Sequence, residues 1–216
     1  MAKLKAVLLD LDGTLRDTRD AIYAAYQQAI KAHTGRDATR DEIKPHVHHH
    51  SVVHKAFAGH ISFEQFEETY AGFVDPAIDA ARLYAGAESL LGRLRAEGYK
   101  IAIVTSASQQ KTEKFLETLK IADKCDSIVG MNRERKPKPA PDLLEIALRE
   151  LRCRPAEAIM VGDMVVDIQA AHAAGMRGVG ITHGFATRAE LALAGAEIII
   201  DTLAQLPAAI KEIEAK

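Results

Sequence analysis

In the stretch "KAVLLDLDGTLRDT", an apolar run ends in two aspartates that stand two residues apart. Asp10 and Asp12 follow Val7, Leu8 and Leu9, a run that reads as a buried strand. An unpaired carboxylate is costly to bury, so a cation or a crevice must receive both. Residues i and i+2 of an extended chain point the same way, which lets both carboxylates address one site. Three further stretches carry polar residues at the ends of apolar runs. Thr105 and Ser106 end "IAIVTS" and offer hydroxyls and backbone N–H groups to an anion. Lys138 lies in the basic "RERKPKPAPD", just before a helix that opens at Pro141 and Asp142. Asp163 sits at the strand end in "VGDMVVD", with Asp167 one helical turn later. Carboxylates for a hard cation, hydroxyls and a lysine for an oxyanion together suit phosphate chemistry.

Each stretch alone has an ordinary reading. Thr105 or Ser106 can cap the helix after "TSAS". Asp163 can cap or form a turn, and "RERKPKP" can be a solvated loop with either Lys136 or Lys138 turned inward. The order of all four is what narrows the choice.

The elements that must position these residues alternate along the chain. Continuous apolar runs begin at Ala6, Ile101, Ser127, Ala158, Gly178 and Glu197. Runs that are apolar throughout suit strands covered on both faces. Helical patterns lie between them, at 87–97, 109–119, 141–151, 166–174, 188–194 and 203–213, with Gly98 and Gly175 placed as C-caps. This alternation predicts an α/β fold, a doubly wound parallel sheet, whose ligand crevice lies at the C-terminal strand ends. One interval, from about Thr18 to Arg82, contains no convincing strand. Ile22, Tyr26, Ala29, Ile30 and His33 recur at helical spacing, as do Phe63, Phe66, Tyr70, Phe73 and Val74. The expected organisation is a core of residues 1–15 and 83–216 with a helical domain, 16–82, inserted after the first strand.

Composition excludes several classes. A net charge of −2 gives no electrostatic case for nucleic acid or anionic membrane as partner. No apolar run is long enough for a signal peptide or a bilayer span. Cys125 and Cys153 form no CxxC pair, which favours reduced thiols and a cytoplasmic protein, a monomer or small homo-oligomer.

At these residues the sequence resembles the haloacid dehalogenase superfamily, in the branch with a helical cap after the first strand, and is similar to its phosphoglycolate phosphatases. "DLDGTL" at Asp10–Leu15 matches the first family motif, and "IVTS" at Ile103–Ser106 resembles the second. "KPAPD" at Lys138–Asp142 resembles the third, and "GDMVVDIQAAHAAGM" at Gly162–Met176 the fourth, with Met164 in place of a small polar residue. The resemblance covers the core and only loosely the cap.

What it implies is a Mg²⁺-dependent phosphatase for a small phosphorylated metabolite. Asp10 would be the nucleophile that forms an aspartyl-phosphate, and Asp12 the general acid and base. Mg²⁺ would be held by Asp10, Asp163 and the backbone carbonyl of Asp12, with Asp167 supporting it. Thr105, Ser106 and Lys138 would bind the phosphoryl group. Spacing against KPAPD favours Lys138 over Lys136. A phosphomutase shares these motifs and stays open as an alternative. A binding protein on a retired enzyme fold is disfavoured because no catalytic position is missing, and a dehalogenase because Asp12 is present.

Two features fall outside the motifs. Arg16, after "DGTL", is unusual for the family; extension into water is preferred here over reading an anionic substrate tail. Six of nine histidines lie between His46 and His60. His50 and His54 are spaced to chelate a transition metal on one helix face, but no HExxH pattern supports this. Contact of one or two of these histidines with substrate is the reading of more interest.

Overall fold

In a computed structural model, which describes residues 3–47 and 50–215, six strands form one parallel sheet. They are β1 (Ala6–Leu9), β2 (Lys100–Ser108), β3 (Ser127–Met131), β4 (Ala158–Gly162), β5 (Arg177–Ile181) and β6 (Ile198–Ile200), in the order β3-β2-β1-β4-β5-β6. The helices are α1 (Arg19–Thr34), α2 (Arg40–Ile43), α3 (His50–Phe57), α4 (Phe63–Ala80), α5 (Ala87–Ala96), α6 (Gln109–Thr118), α7 (Asp142–Leu151), α8 (Val165–Ala173), α9 (Arg188–Leu193) and α10 (Leu206–Ala215). The chain forms two compact units, Met1–Arg16 with Leu83–Lys216, and Asp17–Arg82.

In the α/β unit the apolar runs are explained by alternation on a sheet covered twice. Val7, Leu9, Ile101, Ile103, Ile159 and Val161 enter a core with residues of α5 and α10. Their neighbours Ala6, Leu8, Ala102, Val104, Ala158 and Met160 enter a second core with residues of α7 and α8. Both faces being buried, polar residues have no place until the strand ends. β1 is paired on both sides, Leu9 opposite Ile103 of β2 and opposite Val161 of β4. The strand order reverses direction at β1 and β4, and such a switch point opens a crevice beyond the carboxyl ends. β2 runs on through Ser108, past the expected end at Thr105, with its register against β3 shifting between Val104 and Ser108.

The helical unit is held by α1 against α4. Tyr26 stacks on Tyr70 with centroids 4.3 Å apart, and His33 Nε2 meets the Thr69 hydroxyl at 2.8 Å. The buried face of α1 is Tyr23, Ala25, Tyr26, Ala29 and Ile30, so Ile22 and His33 lie at its margin and not at its centre. On α4 the buried residues are Phe66, Tyr70 and Val74, while Phe73 is exposed. Ser62 caps α4 by a reciprocal bond with Gln65.

Candidate active site

The ends of β1 and β4 bring together Asp10, Asp163 and Asp167. One carboxylate oxygen from each lies within 4.8 Å of the others, and all three residues are buried. The cluster is reached from a third direction by Lys138, in the loop that leads to α7. Its ammonium donates to Asp10 Oδ1 at 2.7 Å, Asp167 Oδ1 at 2.5 Å and the Val104 carbonyl at 3.3 Å. All three donors of the ammonium are used, so Lys138 is a fixed point charge. Lys136 is exposed.

Asp163 is gripped from both oxygens. The Thr14 hydroxyl donates to Oδ1 at 2.9 Å, and the Phe185 N–H donates to Oδ2 at 2.8 Å. Two glycines make the approach possible. A Cβ at Gly184 would lie 2.1 Å from Asp163 Oδ2, and one at Gly13, where φ is +88°, would lie 2.5 Å from the same atom. Asp167 accepts the Met164 N–H on Oδ2 at 2.9 Å, which closes the first turn of α8.

Three buried carboxylates face one ammonium. Burial, opposed by Lys138 and reinforced by Asp167, pushes the Asp10 carboxyl up to about 7. Burial and then repulsion from Asp10 and Asp167 raise Asp163 well above the carboxylate range. Burial alone would lower Lys138, but Asp10 and Asp167 overcome it and hold the ammonium charged. The cluster therefore carries a deficit of positive charge. Its donor set is oxygen only, without Cys or His, and that fits a hard divalent cation.

Thr105 is buried, and its Oγ accepts the Ala107 N–H at 3.1 Å. Among the described residues that hydroxyl donates no hydrogen bond. The strand continues through it, so it does not serve as a helix cap; Ser106 beside it is exposed.

The expectation for Arg16 needs correction, and Asp12 and the cap histidines take partners of their own. Asp12 does not share the partners of Asp10; its Oδ1 accepts from Arg16 Nε at 2.8 Å and lies 2.7 Å from Nη2. Arg16 accordingly does not extend into water. It is buried, with its guanidinium 4.1 Å from the Phe115 ring centroid. The His50–His54 spacing, which the sequence reading did not favour as a chelate, places the two rings on different partners. His50 Nδ1 meets the Tyr26 hydroxyl at 3.2 Å, whereas His54 Nε2 meets the Ile61 carbonyl at 2.9 Å. His48 and His49 lie outside the described residues.

Sequence reasoning did not assign Thr14 or Phe185 to the site, nor His183, whose Nε2 meets the Thr14 carbonyl at 3.0 Å and whose ring stacks on Tyr84. Thr14 was visible inside "DLDGTL". The "HGFA" loop carried only one signal, a glycine directly after a strand and a polar pair.

Residues 7–181 match the family model of haloacid dehalogenase-like hydrolases. The chain belongs to that family. It is similar to pyrophosphatase PpaX of Bacillus velezensis, 31% identical over 183 residues that span 83% of each chain. Among solved structures it resembles a hydrolase from Pseudomonas syringae, with a TM-score of 0.83, 26% identity and coverage of 97% of this chain and 99% of that one. A predicted phosphoglycolate phosphatase from Haemophilus somnus shares the fold, with a TM-score of 0.83 at 22% identity over 97% and 99% of the two chains. The family member described here is thus a hydrolase on a Rossmann-like sheet. No helix among its described residues is long and apolar enough to cross a membrane.

Proposed function

We propose that this hydrolase is a Mg²⁺-dependent phosphatase that cleaves a small phosphate monoester through an aspartyl-phosphate on Asp10. The observation that carries this reading is the buried Asp10 carboxylate, 2.7 Å from Lys138 and clustered with Asp163 and Asp167 at a strand-end crevice. Asp10 and Asp163, with the backbone carbonyl of Asp12, are the groups that would hold Mg²⁺. When bound, the ion supplies the missing positive charge and draws electron density from the phosphoryl oxygens.

The residues then divide the work. Asp10 attacks phosphorus, and its bond to phosphorus forms as the ester bond breaks. Asp12 gives a proton to the departing oxygen and later takes one from the water that hydrolyses the intermediate. Lys138 offsets charge on the phosphoryl group, and the free hydroxyl hydrogen of Thr105 points this reading to a phosphoryl oxygen. Asp167 holds Lys138 in place, which supports the cluster without a direct part in the reaction. Ser106 is exposed and enters, if at all, through its backbone. Residues 1–15 and 83–216 form the catalytic core in this reading, with 16–82 as a cap that selects substrate in a cytoplasmic enzyme.

The test is phosphate release from a panel of small esters, phosphoglycolate included, with and without Mg²⁺. Pyrophosphate belongs on the panel because of the name of the Bacillus relative. Hydrolysis that requires Mg²⁺ and is lost in Asp10→Asn supports the reading. Isomerised phosphosugar without released phosphate would replace it with the phosphomutase alternative, and full activity in Asp10→Asn would remove it.

A further inference from the structure

The chain after β1 folds back on itself. The Leu11 carbonyl accepts from the N–H groups of Thr14, Leu15 and Arg16, and the Gly13 N–H donates to the Arg16 carbonyl at 2.8 Å. Asp12 and Arg16 therefore stand side by side as a bridge outside the sheet. The Arg16 side chain is 5% exposed and that of Asp12 18%. Both contacts of the guanidinium fall on one atom, Oδ1 of Asp12, and Oδ2 has no part in the pair. On its other side the guanidinium lies over Phe115 of α6.

A buried guanidinium is expensive, and in an apolar setting well-packed hydrophobic residues often do as well for stability. Leu11, Leu15 and Phe115 supply such a setting here. The planar fork of arginine, pinned by an aromatic face, gives something a hydrophobic residue cannot: a fixed direction for one carboxylate.

We propose that Arg16 is a positioning residue for proton transfer, holding Asp12 by Oδ1 so that Oδ2 is set towards the leaving oxygen of the substrate. This rests on the reading that Asp10 is the nucleophile and Asp12 the acid and base. As the bond from Asp10 to phosphorus forms and the ester P–O bond breaks, the proton on Oδ2 passes to the departing oxygen, leaving a neutral alcohol and the Asp12 carboxylate. Water then bonds to phosphorus, its proton passes to Oδ2, and the Asp10–phosphorus bond breaks to release phosphate.

A positioned acid matters in proportion to how badly the leaving group needs a proton. p-Nitrophenolate departs without one, whereas the alkoxide from glycerol 2-phosphate does not. The experiment compares kcat/KM for these two esters in wild type, Arg16→Met, Arg16→Lys, Phe115→Leu and Asp10→Asn. This ratio covers the steps up to loss of the leaving group and not the later hydrolysis. General acids contribute about 10²–10⁴-fold, and mispositioning should forfeit a good part of that. The expected result for Arg16→Met is a fall on glycerol 2-phosphate at least about tenfold greater than on p-nitrophenyl phosphate. Arg16→Lys should lie between Arg16→Met and wild type, and Phe115→Leu should shift the ratio the same way by less. If Arg16→Met does not fold, the other two variants carry the comparison. Equal losses on both esters, or none, with Asp10→Asn inactive, would overturn the positioning role and leave the nucleophile standing. Hydrolysis that survives Asp10→Asn, or no hydrolysis of either ester by wild type, would overturn both.

Discussion

At the strand ends, Asp10, Lys138, Asp163 and Asp167 come from distant parts of the chain, yet their charged atoms share one buried volume. In the helical unit the reverse happens. Among the described residues, three histidines of the crowded 46–60 stretch meet different neutral groups: His50 the Tyr26 hydroxyl, His54 the Ile61 carbonyl, His60 the His33 carbonyl. His46 stands edge-on to Phe57, and His54 packs beside Phe63 and Phe66. Proximity in sequence did not gather the rings of His50, His54 and His60 on one partner, and separation in sequence did not keep the four charged groups apart. The first cluster concentrates negative charge, which calls for a cation. The second disperses groups that work as amphipathic packing.

The most severe way to break this contrast is Asp10→Asn. With Asp10 as the proposed nucleophile, this change should lower phosphate release by more than about 10³-fold, while circular dichroism stays unchanged. Retained turnover would make the cluster merely structural. Next comes Lys138→Met, which leaves three carboxylates without their ammonium. Removal of one partner from a buried pair costs about 3–5 kcal/mol, readable as a lower midpoint in urea, and turnover should fall with it.

Titration sharpens the contrast further. Asp10 is raised to about 7 and Asp163 is raised too, so the metal-free fold binds protons more readily than the unfolded chain. The contribution of these groups to stability is full below the ordinary carboxylate range and is lost as pH rises through about 7. On the proposed reading, Mg²⁺ held there would restore what deprotonation removes. The melting temperature gained on adding Mg²⁺ should therefore be small at pH 5 and large at pH 8, and a gain independent of pH would contradict the charge deficit. The smallest effect belongs to the histidines. His54→Phe strands the Ile61 carbonyl and should cost about 1–2 kcal/mol, with the Mg²⁺ dependence of turnover unchanged. A shifted Mg²⁺ requirement would join the two regions that the contrast keeps apart.

Much of the α/β unit was legible because both-face burial writes itself as unbroken apolar runs, and the runs at Ala6, Ser127 and Ala158 start where β1, β3 and β4 start. Charged residues at the ends of such runs stand out for the same reason. What the sequence concealed were partners made by the turns of the chain. Arg16 reads as a surface residue until the turn at Leu11–Arg16 lays it on Asp12. The Phe185 N–H is a backbone group, so no side-chain pattern announces it. On α1 the helical period gave the face only to within one residue, since Ile22 and Tyr23 are both apolar and only packing against α4 chooses between them.

The Thr14 hydroxyl and the Asp163 carboxylate it clasps are separated by 149 positions in the chain. At ribosomal rates of about 5–20 residues per second, that gap corresponds to roughly 7–30 s of synthesis. During this interval β1 has been made and β4 has not, so a strand apolar on both faces lacks one of its two neighbours. The helical unit lies wholly within the gap and can settle by contacts local to itself. The half-built sheet cannot, and it is there that a nascent chain of this protein would need shelter from a chaperone.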